Sequence, residues 1–593
     1  MLKNMLKWKR LLYIICFTCI MLIDWSRGGA RWVYWATFIN LTGVVMAVLL
    51  ASHFSWKNQP WKKYALWGLV WFIGSGVGYL IWQRNPGDVF LSQYITAAIS
   101  LLGLGIIALR IWLDREKLQH AGMGHPYVVA LWVVVSVLMV CSRFGEIWQL
   151  FYLLMFGMFY LLPFSKEEKE DLWVSVADGC IVGFFIIQIW AYGFRPYDVV
   201  RYSGAYSNCN MNALFYLVTY IMVLYRLHYL WHKEEHGEAE RQASVMRKGV
   251  PVVKGNALVW GKVFLVVLAA GLCSFMLFTM GRTAILVAAA VTVVYGIFEF
   301  CVFRKLGFGK ILVKCCVYVL CIAFTFPCVY LTIRYLPTIL HHPVWWEGEY
   351  DISKVHSFDP YDSEKYISMD EVLEAMLGRF WIAEKKEVAT QGSGVQNSAY
   401  SEVAASFDLF ASSGKITLPK NYATIVAVQS SSVENQLSTM GSQMLTVDES
   451  ELLTGEAAGN SMAIRFEIYK KYLQNLNLTG HELEEGYMPI TETFHAWHAQ
   501  NVFIQVLFYY GIPAGILFII LMAVLGIQAL RLAIRNRKVE DFLVLLVWLV
   551  FVGYGMMECV WYMGQSILFL MYLVPKLIID SRSDIQQSSN RKS

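Results

Sequence analysis

The chain has 593 residues, of which 57% are hydrophobic and 16% are charged, and its formal net charge is +5. A soluble globular protein carries roughly 25% charged residues, so this composition excludes that class. The basic residues concentrate in alternate connections between apolar segments, which is the pattern of an oriented membrane protein. We therefore do not attribute the positive charge to nucleic-acid binding.

Runs of apolar residues long enough to cross a hydrocarbon core of about 30 Å recur along the chain. The first follows a basic N-terminus, but Asp24-Trp25-Ser26-Arg27 offers no small-residue cleavage site, so we expect an uncleaved helix. These runs predict an all-α, polytopic integral membrane protein with about 12–14 transmembrane helices. The predicted spans are 11–24, 32–54, 65–82, 94–113, 127–143, 147–164, 174–194, 211–231, 261–280, 284–303, 311–335, 502–530, 541–558 and 564–579.

The distribution of lysine and arginine predicts that both termini are cytoplasmic. Residues 1–335 then hold about eleven N-terminal helices, and 336–500 form one large extracytoplasmic loop. Residues 501–580 hold the C-terminal helices, and 581–593 form a cytoplasmic tail. The connection 195–210, the turn at Gly281–Thr283 and the hairpin near Glu558–Gln565 fall on the same side as the loop.

The large loop is acidic, with about 23 Asp and Glu residues against about 10 Lys and Arg residues between positions 337 and 500. Its end predicts an amphipathic helix over Ser461–Leu476, lying along the membrane surface. The apolar positions of this helix are Ile464, Phe466, Ile468, Tyr469, Tyr472 and Leu473.

Three arginines, Arg201, Arg282 and Arg465, lie on the predicted extracytoplasmic side. Taken singly, each is explained by snorkelling to the interface or by a solvated helix face. A guanidinium group binds two phosphate oxygens at once, in a bidentate manner, and keeps its positive charge. Three arginines on one face therefore indicate a pyrophosphate, such as that of a lipid-linked sugar.

Two histidines, His495 and His498, precede the span that begins near 502. A histidine at an interface is most simply a hydrogen-bonded surface residue, but here one could deprotonate an incoming hydroxyl. The loop has no Asp-x-Asp motif and the chain has no glycine-rich nucleotide loop, so we expect no metal and no cofactor. Asn501 indicates helix entry, and Gly511 indicates a kink or a close contact.

Four short blocks, in this order, resemble the O-antigen ligase and O-antigen polymerase superfamily. They are Arg201 with Gly204, Tyr206, Asn208 and Asn210; Gly281-Arg282-Thr283; Ser461 to Arg465 with Leu478-Thr479-Gly480; and His498-Ala499-Gln500-Asn501 with Gly511.

The resemblance implies a GT-C-like membrane glycosyltransferase that takes glycan from an undecaprenyl-pyrophosphate-linked oligosaccharide without a metal. It implies an active site on the outer face of the bacterial cytoplasmic membrane, among membrane lipids. It also implies that the three arginines engage the pyrophosphate, and that an extracytoplasmic base, His498 or His495, activates the acceptor. Gly204, Asn208, Asn210, Gln500, Asn501 and Gly511 are the matching supporting positions.

One position departs from the family pattern. Ligases of this family carry histidine directly before the asparagine, where this chain has Gln500, which cannot act as a base. His498, His495, or a carboxylate such as Glu484 or Glu485 then takes that role, or the chain is a polymerase with a different arrangement. The acceptor, whether glycan, lipid or protein, stays open.

Two other classes of function remain. A flippase or transporter of lipid-linked glycans would place polar residues at the bilayer midplane and often shows internal repeats. A non-catalytic assembly subunit would explain the glutamine at position 500.

Overall fold

The structure is a computed structural model that describes residues 2–29, 35–54, 102–115, 125–145, 147–194, 201–206, 208–248, 256–339, 368–380, 461–490, 495–496, 498–535, 539–561 and 565–580. Nearly all of these residues are helical, and their only sheet is one antiparallel pair of two-residue strands. The predicted span 65–82, the tail 581–593 and most of the loop 336–500 lie outside the described residues.

The helices before the large loop follow the predicted apolar segments. They are α1 (Leu2–Gly29), α2 (Trp35–His53), α3 (Leu102–Leu113), α4 (Pro126–Cys141), α5 (Ile147–Leu161), α6 (Lys166–Phe194), α7 (Cys209–Lys248), α8 (Asn256–Thr279), α9 (Arg282–Gly296) with a π-helical continuation (Ile297–Phe303), and α10 (Phe308–Ile339).

The remaining elements belong to the loop and to the C-terminal helices. They are α11 (Met369–Phe380), α12 (Ser461–Gln474), a 3₁₀ turn (Glu484–Gly486), β1 (Met488–Pro489), β2 (His495–Ala496), α13 (Val502–Tyr510), α14 (Ile512–Arg535), α15 (Val539–Gly555), α16 (Ser566–Leu573) and α17 (Pro575–Asp580).

Six helices within the described residues are long and apolar enough to cross a membrane. The chain is therefore an all-α polytopic membrane protein. Several other predicted spans correspond to shorter apolar helices, so the total of about 12–14 stays a prediction. The six spans are Glu167–Tyr192, Cys209–His232, Val259–Thr279, Arg282–Phe303, Phe308–Pro337 and Ile512–Arg535.

Two predicted C-terminal spans are each divided in two, which corrects their predicted continuity, whereas the kink or close contact predicted at Gly511 is confirmed. The segment 502–530 breaks at Gly511, whose φ of 86° is a conformation that other residues rarely adopt. A Cβ at Gly511 would stand 2.4 Å from the carbonyl oxygen of Leu478, so glycine also permits this close approach. The segment 564–579 divides before Pro575, which cannot donate an amide hydrogen to the preceding turn.

Helix α7 lies at the centre of the bundle and α10 at its edge. Within their most apolar windows, 83% of the α7 residues are buried, against 6% of those in α10. Helix α7 packs against α6, α8, α9 and α15. The first turns of α7 are thereby surrounded by the ends of other helices, and this end of the bundle carries the polar residues described below.

The helix predicted at the end of the large loop is confirmed as α12, over Ser461–Gln474. Ile468 and Tyr472 are fully buried against the protein, whereas Phe466 is 61% exposed and Leu473 is 46% exposed. One face of α12 therefore packs on the bundle, and part of its apolar surface points away from it. The predicted position of α12 along a membrane surface stays a prediction.

Candidate functional site

Arg201 links the segment before α7 to the turn between α8 and α9. Its Nε donates a hydrogen bond to the carbonyl oxygen of Thr279 at 3.2 Å, and its Nη2 donates to Oδ1 of Asn210 at 2.6 Å. The amide of Tyr202 donates to the carbonyl oxygen of Phe278 at 2.9 Å. Two blocks that the sequence separates by about 70 residues are therefore in direct contact.

The turn that carries Arg201 is fixed by local bonds. Gly204 has a φ of 57°, and the indole of Trp25 in α1 donates to the carbonyl oxygen of Ala205 at 3.1 Å. Oδ1 of Asn208 accepts a hydrogen bond from the amide of Asn210 at 2.7 Å, as a residue entering a helix does. The predicted tight turn and helix entry are both present, and they orient Asn210 toward Arg201.

Arg465, on α12, joins the same network through a carboxylate. Its Nη1 donates to the carbonyl oxygen of Met557 at 2.8 Å, and its Nη2 lies 3.3 Å from Oε1 of Glu558. The same Oε1 accepts a hydrogen bond from Nδ2 of Asn210 at 3.3 Å. Glu558 therefore connects the Arg201 segment with Arg465, and the side chains of Arg465 and Glu558 are only 12% and 18% exposed.

The segment before α13 is held against this network. Nδ2 of Asn501 donates to the carbonyl oxygen of Met556 at 2.9 Å, and Oδ1 of Asn501 accepts from the amide of Phe503 at 2.9 Å. Asn501 is therefore the N-cap of α13, which confirms the predicted helix entry. The hydroxyl of Tyr469 donates to the carbonyl oxygens of Gln500 and Met556, each at 3.2 Å.

The positive charge of Arg465 acts on His498. Burial, and after it the positive charge of Arg465, lower the pKa of the His498 imidazole to about 4. Nδ1 of His498 accepts a hydrogen bond from the amide of Gln500 at 3.2 Å. In the neutral ring the proton then resides on Nε2, so His498 presents a donor and its basic lone pair is already used.

Two residues of the site adopt left-handed backbone conformations that are uncommon outside glycine. Met280 has a φ of 51° and Gln500 has a φ of 48°. Such conformations cost of order 1–3 kcal/mol and cluster at functional sites. The side-chain Oε1 of Gln500 is buried and has no hydrogen-bond partner among the described residues.

Arg282 and His495 lie on two other elements, α9 and β2. Arg282 is the first residue of α9, three positions after Thr279, and its side chain is exposed. His495 lies on β2, where it pairs with Pro489 and stacks on Tyr487 with ring centroids 4.6 Å apart.

Sequence reasoning did not single out Glu558 as a site residue. In the sequence, Glu558 is a single carboxylate between two apolar segments on the predicted extracytoplasmic side. Within the described part of the chain, no group of three or more His, Cys, Asp or Glu side chains is arranged to hold a metal ion.

No protein-family model matches the chain, and no curated protein matches it. The function proposed below is therefore inferred from the residues of this site and their geometry.

Proposed function

We propose that the protein is a membrane glycosyltransferase of the O-antigen ligase or polymerase type. It would transfer or polymerise oligosaccharide from an undecaprenyl-pyrophosphate donor on the extracytoplasmic face of a bacterial cytoplasmic membrane, in a bundle of about 12–14 helices. The observation that carries the proposal is that Arg465 pairs with Glu558 and that Arg201 is connected to the same carboxylate through Asn210.

An anion is the ligand that this arrangement favours. The carboxylate of Glu558 already occupies a position between two guanidinium-bearing segments. Helices α7, α9 and α13 all begin at this end of the bundle, and helix N-termini favour negative charge. A diphosphate offers more charge and more acceptor oxygens than a carboxylate, so it competes well for Arg465. Arg282, whose side chain is exposed at the start of α9, would contact a phosphate oxygen at the rim.

The neutral acceptors around the arginines keep them oriented during this exchange. Arg201 stays bonded to Thr279 and Asn210, and Arg465 stays bonded to the carbonyl oxygen of Met557. Glu558 can therefore leave Arg465 without loss of the guanidinium geometry. Preorganised charges of this kind stabilise a leaving pyrophosphate because they need not reorient as it forms.

Glu558 is the base that we propose for the acceptor hydroxyl. A carboxylate next to a diphosphate binds a proton more readily than one next to a guanidinium, so donor binding would activate it. His498 fits this role less well, because Nδ1 is engaged by the amide of Gln500. Its Nε2–H would instead donate to an oxygen of the donor, and Oε1 of Gln500 would accept from a sugar hydroxyl.

In the reaction, the bond between the anomeric carbon and the phosphate oxygen breaks, and the pyrophosphate lipid leaves with the electron pair. The acceptor oxygen bonds to the anomeric carbon, and its proton passes to Glu558. The arginines hold the added negative charge of the leaving group.

Transport is a less favoured alternative. Transporters bind substrate near the bilayer midplane, at discontinuous helices. Here the polar network gathers at helix ends: after α8, before α7, α9 and α13, and after α15. That placement supports chemistry at a membrane surface.

The test uses purified protein with undecaprenyl-pyrophosphate oligosaccharide in detergent and a chelator. It follows glycan length and the released pyrophosphate lipid. A ladder of longer lipid-linked glycans identifies a polymerase, and consumption that requires a separate acceptor identifies a ligase. Arg282→Ala should abolish transfer while the protein stays in the membrane, whereas Arg535→Ala, at an exposed position in the last turn of α14, should retain it. An intact donor in every condition would favour transport or an assembly role.

A further inference from the structure

An exposed aromatic ring stands on the hairpin that leads into the site. Tyr487 is 43% exposed, and its ring lies parallel to that of His495, with an interplanar angle of 5° and centroids 4.6 Å apart. The pairing of Met488 with Ala496, the residues that follow Tyr487 and His495, keeps the two rings side by side. His495 covers one face of Tyr487, and 43% of Tyr487 nevertheless remains exposed to solvent.

The position of this ring is fixed relative to Arg465. The hydroxyl of Tyr472 donates to the carbonyl oxygen of Gly486 at 2.6 Å, so the residue before Tyr487 rests on α12. Arg465 precedes Tyr472 on the same helix by seven residues, which is about 10 Å along the axis. The ring therefore lies at a distance from the arginine cluster that a short oligosaccharide bridges.

Exposed charges of both signs are tied to the chain segment just before Tyr487. Arg143 bonds to Glu482 at 2.9 Å and to Glu485 at 3.2 Å, and all three side chains are exposed. The amide of Arg143 also donates to the carbonyl oxygen of Thr479 at 2.9 Å. Carboxylate and guanidinium groups this near to an aromatic residue in the chain are suited to hydroxyl groups, and they disfavour both acyl chains and polyanions.

We propose that Tyr487, supported by His495, is a stacking platform for a pyranose ring of the glycan bound during transfer. This inference rests on the proposed function and deepens it. The C–H groups on one face of a pyranose pack on the electron-rich face of an aromatic ring. Glu482, Glu485 and Arg143 then meet the hydroxyl groups at the edge of that sugar.

The binding test uses the full chain in detergent and measures saturation transfer to free oligosaccharides. The probe is a set of fragments released by partial acid hydrolysis from the envelope polysaccharide of the source organism. Tyr487→Phe keeps the ring and should bind as the wild type does. Tyr487→Leu keeps apolar bulk but loses the ring face, and its affinity should fall roughly tenfold. Leu478→Ala, another exposed apolar residue of this segment, is the matched control.

The kinetic test separates the platform from the transfer reaction. In the transfer assay, Tyr487→Leu should raise the KM for donor roughly tenfold and leave kcat at saturating donor nearly unchanged. Transfer that proceeds with equal donor KM in wild type and Tyr487→Leu would refute the platform while the proposed function stands. Absence of transfer would refute the proposed function, and the binding test would still decide the platform. Wild-type protein that binds no fragment, or Tyr487→Leu that binds equally well, would overturn the inference.

Discussion

The substitution Glu558→Gln separates a base from a structural carboxylate, because glutamine keeps the shape and one acceptor oxygen but loses the charge. At 3.3 Å and an effective dielectric constant near 20, the gross attraction between Glu558 and Arg465 is about 5 kcal/mol. Desolvation and partial exposure reduce the net contribution to about 1 kcal/mol. We therefore expect only a small loss of thermal stability.

The expected effect on the reaction is much larger. A positioned general base contributes about 10²–10⁴-fold to the rate, so kcat should fall by at least about 100-fold. The donor should bind as tightly as before or more tightly, because a competing negative charge has been removed from Arg465. Single-turnover consumption of saturating donor measures the first quantity, and its dependence on donor concentration measures the second.

The control for this substitution is Glu467→Gln, which neutralises an exposed carboxylate on α12 that pairs only with Lys470 among the described ion pairs. It should leave kcat unchanged. A Glu558→Gln protein whose kcat stays within tenfold of the wild type would refute the assignment of the base. A raised donor KM with normal kcat would mean that Glu558 only positions the arginines.

Three further changes test the site and its frame. Arg201→Lys loses the paired hydrogen bonds of the guanidinium and should slow transfer about 100-fold, whereas Arg535→Lys, at an exposed position on α14, should act weakly; the transfer assay compares them. Because the pKa of His498 is lowered to about 4 from 6.5, the folded state binds fewer protons than the unfolded state between these values. The contribution of His498 to stability is complete above pH 6.5 and decreases by about 1–3 kcal/mol as the pH falls to 4. Thermal midpoints of His498→Gln should therefore depend less on pH than those of the wild type. Parallel curves of midpoint against pH for the two proteins would contradict this. Gly511→Ala should lower the thermal midpoint through a strained φ and a clash, whereas Gly271→Ala, with open space around it, should not.

Much of the fold follows from the sequence because hydrophobic length determines where helices can lie in a membrane. The predicted spans 211–231 and 261–280 match α7 and α8 for that reason, the second to within one residue at its end. Asn501 was identifiable as a helix entry, since the side chain of a capping residue acts on amides two or three positions later. The kink or close contact at Gly511 was predicted from the glycine itself, whereas the division before Pro575 was not, because an apolar run has the same composition whether its helix is continuous or divided.

The central carboxylate of the site could not be assigned in this way. Glu558 is 93 positions from Arg465 and 348 from Asn210, and no periodicity relates residues at such separations. A single Glu between two apolar segments is equally compatible with a solvated turn. Only the packing of α7, α12 and the end of α15 at one place reveals that this carboxylate joins two arginine-bearing segments.

Position 500 connects the departure from the family pattern with the proposed chemistry. The backbone amide of Gln500 donates to Nδ1 of His498, which prevents that nitrogen from accepting a proton while the bond persists. Any residue except proline at position 500 could supply this bond, and what the glutamine side chain adds is Oε1, which is buried without a partner among the described residues. In the proposed mechanism the base therefore comes from another segment, and it is Glu558, which is bonded to Arg465 and to Asn210.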